Sequence, residues 1–71
     1  MQRIKKILSQ ISTCEIIEDY KNGIYFSEKA NKIFNSEHVD CEIVNYYDSY
    51  VINFYEEDNE DVLIDSIIVK K

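Results

Sequence analysis

Cys14, His38 and Cys41 are the residues whose types could support nucleophilic chemistry. A cysteine nucleophile needs a neighbouring base and surroundings that favour the thiolate. Neither cysteine stands in a recognisable motif with such a base. Cys41 falls on the apolar phase of an alternating stretch, where a free cysteine acts as a small hydrophobe. His38 belongs to no paired Cys/His pattern of the zinc type, and suits a helix end or an exposed position. Carboxylates are abundant, but acid–base catalysis needs two of them desolvated in a cleft. A chain of 71 residues has little interior for one. In Glu56–Asp61, EEDNED, Asp58 and Glu60 alternate as calcium ligands do, but the glycine of the sharp turn is missing. No catalytic residue, metal or cofactor is expected.

Binding chemistry is better supplied. Residues 33–69 hold Glu37, Asp40, Glu42, Asp48, Glu56, Glu57, Asp58, Glu60, Asp61 and Asp65, and no Lys or Arg. Residues 1–32 carry a small basic excess, Lys70 and Lys71 add two positive charges, and the whole chain is −6. Solubility is served by mixed signs, whereas here the signs are segregated. Such a balance opposes contact with nucleic-acid phosphates or anionic lipid and favours a basic protein surface. Tyr46, Tyr47, Tyr50 and Tyr55 lie among the acids, and tyrosine is enriched at the centres of protein interfaces. The candidate partner-binding residues are Glu42, Tyr46, Tyr55, Glu56, Glu57, Asp58, Glu60 and Asp61. The tyrosines would anchor, and the carboxylates would steer and orient. Without a function, the same acids would form a solvated turn that discourages edge-to-edge strand pairing.

These side chains need a scaffold, expected as a single α+β domain over residues 1–71. Ile4, Ile7, Leu8 and Ile11 fall at i, i+3, i+4 and i+7, predicting a helix over 1–12 with a basic solvated back. Asn22-Gly23 is a strong type I′ turn signal, predicting a β-hairpin over 14–26 with Tyr20 opposite Tyr25. Ser27 is a competent N-cap, and Ala30, Ile33 and Phe34 form a stripe, predicting a short helix over 27–36. Residues 40–69 alternate as three antiparallel strands, about five strands in all. Turning at Asp48-Ser49 puts Cys41, Ile43, Tyr47, Tyr50, Ile52 and Phe54 on a core face. Glu42, Val44, Tyr46, Val51, Asn53 and Tyr55 then share the other face. In the last strand Val62, Ile64 and Ile68 are expected inward, since the opposite phase buries Asp65. A one-residue bulge would change that phase. Leu63, Ile67 and Val69 then need a neighbour: the first hairpin, a helix or a second protomer.

MQRIKKILSQIS lacks the continuous apolar core and cleavage site of a secretory signal, and no apolar run approaches bilayer length. The expectation is a cytoplasmic protein with reduced thiols, in a host cell's cytoplasm if phage-encoded. Ile, Asn, Lys and Tyr supply 31 of 71 residues, those of A/T-rich codons. With the acidic run EEDNED and the tyrosine-rich YYDSY, this composition resembles the small phage-encoded inhibitors, anti-CRISPR proteins in particular. The resemblance implies a stoichiometric inhibitor that occupies the nucleic-acid site of a CRISPR effector. It is one of composition, and transfers no residue roles. The rival readings are an antitoxin or immunity-type protein neutralising a basic enzyme, and a structural homodimer.

Overall fold

The computed structural model describes residues 2–71. The order is α1 (Gln2–Gln10), α2 (Thr13–Lys21), α3 (Glu28–Ser36), β1 (Val39–Asn45), β2 (Ser49–Glu56) and β3 (Asn59–Lys70). The strands form one antiparallel sheet in the order β1-β2-β3, with three helices rather than two. The α+β expectation therefore holds in its coarse form, but the described residues contain three strands, not five.

The missing hairpin is α2. Ser12 caps it: the Ser12 hydroxyl accepts the Glu15 amide at 3.1 Å, and the Glu15 carboxylate reaches back to the Ser12 amide. This capping box satisfies two amides that a helix N-terminus otherwise leaves open. Ile16, Ile17 and Tyr20 then recur at helical spacing, with both isoleucines buried. Asn22-Gly23, expected as the hairpin turn, closes the helix instead. Gly23 takes φ +78°, its amide donates to the Tyr20 carbonyl, and the Ile24 amide donates to the Asp19 carbonyl. That is the Schellman C-cap, which needs the same positive φ as a type I′ turn. The expected Tyr20–Tyr25 contact does form, edge-on at 5.5 Å between ring centroids, but across a helix end rather than across strands. Ser12→Ala is predicted to cost about 1 kcal/mol of stability, read from the urea midpoint, as for other caps. A midpoint unmoved by the change would mean that packing alone holds α2.

The core lies between the helices and one face of the sheet. Ile4, Ile7, Ile11, Ile16, Ile17, Ala30, Ile33 and Phe34 meet Val39, Ile43, Ile52 and Phe54. Edge-on rings run through it from Tyr50 by Tyr20, Tyr25, Phe26 and Phe34 to Phe54. β1 and β2 keep strict register, so Cys41, Ile43, Tyr50, Ile52 and Phe54 face the core as expected. Tyr47 does not; it sits at the hairpin tip, fully exposed.

β3 departs from its expected phase. Phe54 pairs with Asp65 and Tyr55 with Leu63, so Ile64 is an extra residue; Glu56 pairs with Asn59, which loops out residues 60–62 as well. The bulge lets Ile64, Ile67 and Val69 all pack against the core, leaving Val62 and Ile68 exposed. Asp65 stays partly exposed on the helix side, where its carboxylate accepts the Ser66 amide at 2.8 Å. The phase that turns Asp65 toward the helices is thus the one adopted, and the edge position of β3 keeps its carboxylate within reach of water.

Candidate functional site

The face of the sheet turned away from the helices has no second layer. The strand register arranges it in rows that cross all three strands. Asp40, Tyr55 and Leu63 form one row; Glu42, Asn53 and Ser66 the next; Val44, Val51 and Ile68 the third. Tyr46 lies beyond them at the β1–β2 hairpin end, half exposed, and its amide donates to Ser49. Same-face residues along a strand stand about 7 Å apart, so the rows are spaced by about that distance.

The middle row is bound together by side chains. The Tyr55 hydroxyl donates to Glu42 Oε1 at 3.2 Å, Asn53 Nδ2 donates to the same oxygen at 3.5 Å, and Ser66 Oγ donates to Asn53 Oδ1. These bonds fix the direction of Glu42 and tether the Tyr55 hydroxyl to it. Partial burial, and then the bond to Glu42, raise the Tyr55 phenol above its ordinary pKa. The ring therefore stays a neutral donor across the physiological range.

Acidic groups gather at the end of this face nearest the β2–β3 hairpin. Asp40, Glu42, Tyr55, Glu60 and Asp61, with Cys41, line an open cavity of about 340 Å³. Glu60 and Asp61 reach it because the looped-out residues 60–62 leave the strand ladder. Glu57 and Asp58 form the adjoining tip, where the Glu57 amide donates to the His38 carbonyl at 3.2 Å. None of Asp40, Glu42, Glu57, Asp58, Glu60 and Asp61 makes an ion pair among the described residues. Like charges left this close repel in the free protein, and a cationic surface would relieve them.

Other acids are neutralised by α1. Glu56 lies on the helix side and is ion-paired to Arg3; Glu37 stands 3.8 Å from Lys6. The hydrogen bond from Arg3 holds the Glu56 carboxyl below its ordinary pKa. A carboxyl so depressed stabilises the fold above its ordinary range and loses that contribution as pH falls through its folded value. Of the eight residues expected at a partner surface, the fold thus brings Glu42, Tyr55, Glu60 and Asp61 together. It sets Glu57 and Asp58 beside them, leaves Tyr46 at the far end of the same face, and takes Glu56 to the other side. Asp40, Val44, Val51, Leu63 and Ile68 were missed as site residues. Asp40 and Val44 follow from the alternation of β1; Leu63 and Ile68 need the bulge.

Among the described residues no three of His, Cys, Asp or Glu converge to hold a metal ion. Both cysteines are free, Cys14 exposed on α2 and Cys41 half-buried under the sheet. No helix among the described residues is long and apolar enough to cross a membrane. Comparison with protein-family models, curated proteins and solved structures finds no match to the chain.

Proposed function

We propose that the chain is a non-enzymatic binding protein that masks a basic, nucleic-acid-binding surface of another protein. One observation carries the reading: Asp40, Glu42, Glu60 and Asp61 line one cavity with Tyr55 at one end of the sheet face away from the helices, and none of them has an ion-pair partner among the described residues. Asp40 and Glu42, about 7 Å apart along β1, with Glu60 and Asp61 at the same cavity, offer a nucleic-acid site the charge it expects from a phosphate backbone. Tyr55, oriented by Glu42, supplies a flat ring that can bury its face while its hydroxyl stays bonded. The likeness in composition to anti-CRISPR proteins makes a CRISPR effector one form of the target, with inhibition by occupancy.

The test is charge reversal. Glu57, Asp58 and Glu60 are exposed, so the triple change to lysine leaves the core intact. A partner captured from host lysate is expected to associate with the triple variant at least about tenfold more slowly at low salt. That difference should shrink as salt is added, because exposed charges are screened over about 10 Å at 0.1 M ionic strength. An association rate indifferent to both the reversal and the salt would defeat the electrostatic reading.

A further inference from the structure

The row Val44–Val51–Ile68 is what the acidic reading leaves unexplained. It crosses all three strands beside the carboxylates, and Ile68 is 67% exposed. A solvated face of an antiparallel sheet ordinarily alternates to polar residues on every strand. Building on the acidic-site reading, we propose that this face seats a basic amphipathic α-helix of the partner, lying along the strands.

Three features select that occupant. The first is spacing. Glu42 stands one row, about 7 Å, from the apolar row, and Asp40 two rows, about 14 Å. A helix rises about 1.5 Å per residue, so a leucine at i over Val44, the β1 member of that row, places Lys or Arg at i+4 and i+8 about 6 and 12 Å onward along β1, toward Glu42 and Asp40. The second is width. The outer strands of a three-stranded sheet are about 10 Å apart, which matches the diameter of a helix with its side chains. An extended segment laid on the face would leave its own amides and carbonyls unpaired, whereas a helix satisfies them internally. The third is charge. A second copy would bring −6 against −6. A basic helix meets the acids with opposite charge.

The experiment uses three synthetic peptides of equal charge, titrated into the full chain and followed by amide NMR shifts. One is an alanine-based helix with Leu at i and Lys at i+4 and i+8. In the second the same lysines lie on the face opposite the leucine. The third is an unstructured Gly/Lys chain. The patterned helix is expected to bind at least about tenfold tighter than either control, shifting Val44, Val51, Tyr55 and Ile68. Ile68→Ser should remove that advantage while leaving the exposed position folded, as checked by circular dichroism. Equal binding of all three peptides would overturn the helix while the acidic reading stands. Failure of all three to bind would overturn both.

Discussion

Phe54→Ala is expected to remove about a quarter of the folding free energy at the least, and up to all of it. Phe54 is the largest of the fully buried side chains and stands on β2, the central strand. Its ring meets Phe34 edge-on at 6.0 Å, joining α3 to the sheet, and its cross-strand neighbours are Cys41 and Asp65. Truncating a buried phenylalanine costs about 3–5 kcal/mol, from lost transfer energy and from the cavity that a rigid neighbourhood cannot close. A chain of this length has roughly 4–11 kcal/mol in total, at about 0.05–0.15 kcal/mol per residue. Small domains have no reserve, because they bury only about 60% of their unfolded surface. Urea unfolding followed by circular dichroism should show the midpoint falling by about a quarter of its value or more. Tyr47→Ala, at a fully exposed ring, should stay within about 0.5 kcal/mol of the parent. A Phe54 variant as stable as the Tyr47 variant would mean that the core is not organised around the Phe34–Phe54 contact.

What sequence alone could reveal of this fold follows from how local each signal is. The stripe Ile4, Ile7, Leu8 and Ile11, and Ser27 before Ala30, Ile33 and Phe34, are decided within two turns of helix, and both helices stand where they were expected. The alternation of β1 and β2 is likewise local, and Glu42, Val44, Val51, Asn53 and Tyr55 share the open face as expected, although the turn spans residues 46–48 rather than Asp48-Ser49, a two-residue shift of register that preserves each face. Two signals were ambiguous. Asn22-Gly23 supplies positive φ, which serves a hairpin and a helix C-cap alike. The deciding residues lay ten positions upstream, in the Ser12–Glu15 capping box, and went unread. The phase of β3 was not local at all. It depends on an extra residue at Ile64 whose benefit appears only when Ile67 and Val69 find the helices.

The candidate site divides the same way. Its acidity is a matter of composition, and the pairing of Glu42 with Tyr55 follows from strand alternation. The escape of Glu56 to Arg3 required knowing how α1 lies across the sheet, which no spacing records. The apolar row required all three registers at once. Rows across strands are therefore where tertiary structure adds most to a reading of surface function.

Cys41 is expected to react about a thousandfold more slowly than an ordinary cysteine thiol with a small reagent at neutral pH. Burial first, and the negative charge of Glu42 second, push the Cys41 thiol from 9.0 up to about 12. The thiolate is the reactive form, and three pH units remove about a thousandfold of it relative to an ordinary cysteine. Cys14 is exposed on α2 and open to the reagent. Mass spectrometry of timed aliquots should find Cys14 labelled first and Cys41 labelled only as the chain opens. Stability carries the same sign. Between about pH 9 and 12 the unfolded chain releases the Cys41 proton and the native chain keeps it, so the contribution is full below 9 and lost as pH rises. Urea midpoints at pH 8 and pH 10.5 should therefore fall further in the parent than in Cys41→Ala. An equal fall in both, or labelling of Cys41 at the rate of Cys14, would show a thiol in contact with water. A thiol held protonated at the β1 edge packs as a small hydrophobe in the wall of the acidic cavity, and leaves recognition to its neighbours there, where Glu42 is held by Tyr55 and Asn53.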